Sequence, residues 1–304
     1  MVQANGRDPC EVNNMVRLAT LDFAKVSPGI IVLGSNKGGW MYSSQRPAYE
    51  ACLPTYYTMN TYLNHEQIAS ILGLPVPSGK AKLPVDDLTE KDLEEVAQSV
   101  MECNEFKEFC EAQDGEWEIR LPSEAEWYLA QQQNAIELQA GGNERLVDGP
   151  TSNNRGAMMD GRPRPNELIG PAASQSALMA VHPRNTSVFL KGTVPAQRAL
   201  PDVFARFVLT PIRSQPAKRV PSSADTWANV RSELLWTTVL GIVPSFAIPI
   251  ARGMGAYAID GWFNLFFGGL CVGFFTGAIW RPKRPILRYD SVQPSKDTSD
   301  NVSQ

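Results

Sequence analysis

Thiolate or imidazole chemistry in this chain would have to be built from five cysteines, Cys10, Cys52, Cys103, Cys110 and Cys271, and two histidines, His65 and His182. The cysteines are scattered, odd in number and without C-x-x-C spacing, which argues against a zinc knuckle and against a disulfide framework. The histidines show neither H-x-H nor H-x-x-x-H spacing, so no site of several imidazoles can form. Cys103 and Cys110 lie seven apart and read as packing thiols on one face of a long helix. His182, in AVHPRN, reads as a capped loop residue rather than a base or ligand.

Oxygen chemistry has a firmer basis. Asp148, Asn153, Asn154, Asp160 and Asn166 spread oxygen donors along one loop stretch, and Ca²⁺ takes such ligands. Asp148, Asn153 and Asp160 are the weak calcium candidates against a plainer reading of solvated polarity; no other cofactor is expected. The run NNRGAMMDGRPRPNE (153–167) sets Arg155, Arg162 and Arg164 among Gly, Pro and Asp160. It is a candidate recognition loop, because guanidinium forks match carboxylate and phosphate oxygens. Glu124 and Glu126 read as acidic groups at a helix N-terminus rather than as an acid–base pair.

The elements that must position these groups are legible in part. The chain has 304 residues, 43% hydrophobic and 20% charged, enough for one or two domains with a real core. A net charge of −4 argues against a nucleic-acid partner. Residues 1–26 carry no strong pattern and are set aside as an N-terminal extension. SPGIIVLGS (27–35) reads as a strand ending in a Gly-Ser turn, and 46–63 as β-rich. Residues 64–74 read as a short helix stopped by Gly73 and Pro75. Residues 88–115 read as the longest helix, capped by Thr89 with Asp92 and closed by Gly115. WEIRLPSEAEWYLAQQQ (117–133) spells a strand, a Pro turn and a helix opened by the Ser123–Glu126 capping box.

Two C-terminal tracts, 234–251 and 261–280, carry no charge. At ~1.5 Å per residue each would make ~27–30 Å of helix, enough to cross a bilayer. Arg213, Lys218, Arg219 and Arg231 precede the pair, Arg281, Lys283, Arg284 and Arg288 follow it, and the connection has only Arg252. That bias predicts a two-pass protein with its N-terminal domain and C-terminus on the cytoplasmic (or stromal) side. A basic linker (214–232) would lead into the helices (233–281), and a polar tail (282–304) would follow. Gly269, Gly273 and Gly277 recur every fourth residue and predict close backbone approach, either within the hairpin or to a membrane partner.

Around the capping box the chain resembles the formylglycine-generating enzyme (sulfatase-modifying-factor) family. IRLPSEAEW, with Arg120, Leu121, Pro122, Ser123, Glu124, Glu126 and Trp127, is similar to the family's RLPTEAEW signature. SPGIIVLGS, RPAYEACLPTYYTMNTYLNHEQIASIL, LPVDDLTEKDLEEVAQ, NERLVDGP, SVFLKGTVPAQRA and FARFVLTP resemble further family segments in order across 27–213. The resemblance implies an α+β domain of the C-type-lectin superfold with much irregular loop. It also implies a copper centre on two cysteines, or in ergothioneine-forming relatives an iron centre on several histidines. Here Phe189–Val194 occupies the cysteine region, and no Cys lies between Cys110 and Cys271. The expectation is therefore a membrane-anchored, non-catalytic recognition or scaffold domain, or an accessory subunit with protein partners in the membrane and lipid around it. The alternative is a divergent metal-dependent oxidase acting on protein or small-molecule thiols.

Overall fold

The computed structural model describes residues 15–113, 115–166, 168–222 and 226–293. Cys10, the Asn301 sequon and the end of the polar tail lie outside the described residues.

Alternation of apolar and polar residues builds the main sheet. In β2 (Leu21–Val26), Leu21, Phe23 and Val26 turn inward while Asp22 and Lys25 stay exposed. β1 (Met15–Leu18) folds back on it antiparallel through a turn in which Ala19 holds φ 50°. Residues 15–26 are thus strands of the central sheet, which corrects the reading of 1–26 as a featureless extension. The alternation there spans only two short strands, and pairing rather than local sequence defines them. β3 (Gly29–Leu33) and β4 (Tyr49–Leu53) pair separately as two strands. β5 (Tyr56–Met59), β6 (Trp117–Arg120) and β11 (Val208–Pro211) complete the five-stranded order β1-β2-β5-β11-β6, antiparallel throughout.

A second sheet has the order β10-β7-β8-β9, from β7 (Asn143–Arg145), β8 (Gln175–His182), β9 (Asn185–Pro195) and β10 (Val203–Phe204). His182 therefore ends a strand, and its Nδ1 accepts the backbone N–H of Arg184 at 3.2 Å.

Side-chain caps open the first helices. α1 (His65–Leu72) starts at an Asn64–Gln67 capping box and stops at Gly73 with φ 67°, a left-handed position that glycine adopts without strain. α2 (Glu90–Met101) opens on the Thr89–Asp92 box, and α4 (Glu124–Gln132) on the Ser123–Glu126 box. The single helix expected over 88–115 is two, with α3 (Asn104–Ala112) following a break at Glu102–Cys103. Cys103 is the N-cap of α3, its Sγ accepting the Phe106 N–H at 3.4 Å, so Cys103 and Cys110 do not share one helix face as expected. The apolar pattern continues across the break because Val100, Phe106 and Phe109 all pack on one core, so periodicity alone could not locate it.

The described residues fall into two compact units. The first, 15–31, 51–151 and 160–217, holds both larger sheets and α1–α4 around a core that includes Phe23, Leu63, Val96, Val100 and Phe207.

The second unit takes 32–50, 152–159 and 218–293. In it Gly34 holds φ +81°, and a Cβ there would meet the Gln45 carbonyl oxygen at 2.5 Å. Asn154 donates to the carbonyls of Gln45 and Pro47 at 3.0 and 3.2 Å and fixes that loop. One helix, Thr226–Ala251, is long and apolar enough to cross a membrane, with 6% of its most apolar stretch buried. It comprises α5 (Thr226–Thr237), a π-helical turn over Thr238–Ile242 and α6 (Val243–Ala251). The expected basic linker is therefore helical from Thr226 onward. The second apolar tract forms α7 (Gly255–Asp260) and α8 (Trp262–Ile279). Its apolar run, Trp262–Gly277, falls short of crossing length, so the expected pair of full spans reduces to one among the described residues. The backbone turns at Gly261 and becomes extended at Trp280, which clips the tract at both ends.

Candidate functional site

The signature segment builds an interior, with both of its key carboxylates spoken for. Ser123 caps α4 and also donates to the Gly161 carbonyl at 2.8 Å. Glu126 is fully buried and receives Arg120 Nη1 and Nη2 at 2.7 and 3.0 Å, the Ser123 N–H at 2.9 Å and the Thr210 hydroxyl at 3.1 Å. Burial would raise its pKa, but the Arg120 charge and these donors outweigh burial and hold the carboxyl below the usual range. Tyr56 donates to the Glu126 carbonyl oxygen at 2.5 Å, and burial pushes its phenol well above 10.0. Trp127 donates Nε1–H to Glu144 at 2.8 Å, and Glu144 accepts from the buried Arg206 at 2.6 Å. The Arg206 guanidinium lies 4.6 Å from the centre of the Tyr62 ring. Leu121 is buried, and the Pro122 carbonyl accepts the Val147 N–H at 3.1 Å. The signature residues specify the scaffold: each of their polar groups named here has a protein partner.

A more reactive cluster sits at the N-terminus of α4. Asp148 is buried; its Oδ2 accepts the Glu124 N–H at 2.5 Å and its Oδ1 the Arg164 N–H at 2.7 Å. Burial pushes its pKa up to about 6, opposed by those N–H groups and by Lys191. Glu124 pairs with the Lys191 ammonium from β9, which also reaches the Thr151 hydroxyl at 3.4 Å. Burial and the Glu124 charge together push the Tyr128 phenol up to about 12, so it remains a donor at neutral pH. A carboxylic acid titrating near pH 6 beside a second carboxylate and a lysine is an arrangement that can pass or store one proton. Lys191, Thr151 and Tyr128 were not singled out in the sequence.

The calcium candidates each have protein partners. Asp148 is engaged as above, Asp160 accepts from Arg162 Nη2 at 2.7 Å, and Asn153 Oδ1 accepts the Arg155 N–H at 2.9 Å. Among the described residues no group of three or more His, Cys, Asp and Glu is placed to hold a metal ion. Burial raises the thiols of Cys103 and Cys110, which disfavours the thiolate a soft metal needs.

The candidate recognition loop is stitched down rather than splayed. Arg162 binds Asp160 and the Arg213 carbonyl, and Arg213 binds the Asp160 carbonyl oxygen. Arg164 joins through its backbone, donating to Asp148 and accepting from Gly149 at 2.9 Å. Arg155 lies in the second unit and the other two arginines in the first.

The glycine stripe meets facing helices in two of three places. A Cβ on Gly273 would lie 2.8 Å from Thr237 Cα, and one on Gly269 would lie 2.9 Å from Ile242 Cα. Gly277 instead faces the guanidinium of Arg281.

No family model and no curated protein sequence matches the chain. Among solved structures, PvdO from Pseudomonas aeruginosa is similar with a TM-score of 0.45 and 10% identity, over 64% of this chain and 99% of that one. Treponema denticola variable protein 1 is similar with a TM-score of 0.39 and 13% identity, over 66% and 99%.

Proposed function

We propose that this chain is a membrane-anchored recognition or scaffold protein whose 27–213 region is a sulfatase-modifying-factor-like domain. The helix Thr226–Ala251 carries the reading, because an apolar helix of that length with 6% of its core stretch buried is suited to lipid rather than water. In the finer form of the proposal α8 is tilted or drawn in beside it, so that both ends of the helical segment lie on the cytoplasmic side with the basic residues. Internal bonding of the signature residues supports a structural rather than chemical role for that motif. Raised cysteine pKa values oppose a thiolate-held copper centre.

The test is alkaline carbonate extraction of membranes holding the full chain, followed by mild-detergent purification. Retention in the membrane pellet with co-purifying protein supports the reading. Release by carbonate overturns the anchor, and a partner-free monomer overturns the accessory role. Elemental analysis of the same sample showing copper or iron near one per chain would move the assignment to the oxidase alternative.

A further inference from the structure

Two arginines follow α8 immediately, and each keeps buried donors unspent. Arg281 has a fully buried side chain. Its Nη2 donates to Glu233 at 3.0 Å, to the Gly273 carbonyl at 3.2 Å and to Thr237 at 3.4 Å, while Nε and Nη1 have no partner. Arg284 donates Nη1 to the Ala228 carbonyl at 2.9 Å, while its Nε and Nη2 have none. Among the described residues these are the only guanidinium groups with two buried nitrogens lacking a partner. Buried N–H groups of a cation are costly to leave unmade, so a pair of them implies an acceptor. Nε and Nη2 of Arg284 form the side-on edge of the guanidinium, two parallel donors that match two oxygens of one phosphate.

Both arginines lean on α5, Arg284 at Ala228 and Arg281 at Glu233 and Thr237, five and nine residues or ~7.5 and ~13.5 Å of helix rise further on. Lys218, Arg219, Arg231, Lys283 and Arg288 crowd the same two segments in sequence, against Asp225, Glu233 and Asp290. Aromatic side chains flank these contacts: Trp227, beside Ala228, is 80% exposed, and Trp236, beside Thr237, meets Trp280 edge-to-face at 5.5 Å. Tryptophan beside arginine and lysine at the end of an apolar helix is the composition of a headgroup layer.

We propose that Arg284 forms a binding site for the phosphate of an anionic phospholipid headgroup through its side-on edge, with Arg281 adding positive charge from the same segment. The site rests on the reading of Thr226–Ala251 as a membrane helix. A free phosphate ion offers the same oxygens, but the flanking tryptophans favour a lipid source.

The test uses the full chain, purified and reconstituted in nanodiscs of phosphatidylcholine with or without phosphatidylglycerol, then read by native mass spectrometry of retained lipid. The wild type retains phosphatidylglycerol over phosphatidylcholine, and Arg284→Gln weakens that retention about tenfold, the scale of one charged hydrogen-bonded contact. Arg284→Lys keeps the charge but lacks the two-donor edge, and it shows a loss as well. Wild-type retention in both variants, or no headgroup preference in the wild type, overturns the site. Thermal stabilisation by inorganic phosphate in lipid-free detergent equal to that by phosphatidylglycerol overturns the lipid source. Carbonate extraction of the same proteins separates the two failures: a carbonate-resistant chain without headgroup preference sinks the site alone, whereas carbonate release sinks the anchor and the site with it.

Discussion

Glu126 shows how a single side chain can be read correctly in position and only partly in its partners. The S-x-x-E spacing placed it at the third residue of α4, where it does close the capping box. Nothing local announced that it would also anchor Arg120 and Thr210, because those partners arrive from separate strands. Glu126→Gln leaves the largely buried Arg120 short of its main counter-charge, and we expect a loss of about 3–5 kcal/mol by denaturant titration in detergent. Asp148 makes the opposite kind of contribution. Its folded pKa is raised by burial to about 6, so its favourable effect is fully present below its unfolded value and is lost as pH rises through 6. The stability of the wild type relative to Asp148→Asn should therefore fall by roughly 2 kcal/mol between pH 4 and pH 6. A flat difference across that window would show that Asp148 is not the titrating group. Glu126, with its lowered pKa, acts with the reverse sign, losing its contribution as pH falls, and appears in both proteins of the comparison.

At the scale of elements, caps were legible and breaks were not. Thr89 and Ser123 each opened a helix as read, because a side-chain oxygen next to bare N–H groups is a local fact, whereas the Asn64 cap of α1 was not read. The break before α3 was hidden because Cys103 is an unusual cap and the apolar face runs on past it. β1 and β2 were missed for the same reason in reverse: their partners, each other and β5, are what make them strands. The glycine stripe was legible as a spacing, but its assignments differ along the helix, with two positions against α5, α6 and the turn between them and one against an arginine. Gly273→Ala forces its new methyl within 2.8 Å of Thr237 backbone, whereas Gly268→Ala meets nothing within 4 Å. We expect the first to lower the melting temperature in detergent by several degrees, and the second to leave it unchanged or slightly raise it, since Ala favours helix. Equal shifts would mean that the helices are not in contact there.

At the scale of the whole molecule, the α+β class and one apolar helix of crossing length were legible, while the shortness of the second apolar run and the cluster of Asp148, Glu124, Lys191 and Tyr128 were not. That cluster draws on a helix, a strand and a loop, and sequence carries little sign of convergence between distant segments. The proposed topology is open to a direct check: a cysteine placed at Met254, between α6 and α7, should react with an impermeant thiol reagent only from the face opposite to one placed at Ser222. Labelling of both from one side would leave Thr226–Ala251 lying on the membrane or folded back. The second unit carries one more consequence. Its early loop is completed by late residues, with the Glu50 N–H bound to the Leu287 carbonyl at 2.9 Å and the Glu50 carboxylate to the Tyr289 N–H at 3.0 Å. During translation at ~5–20 residues per second, residues 34–50 wait roughly ten to fifty seconds for those partners to be made. Through that interval Trp40 and its neighbours are bare on a nascent chain. A holding chaperone should therefore recognise ribosome-bound chains that end before residue 280 and release those long enough to expose residue 292.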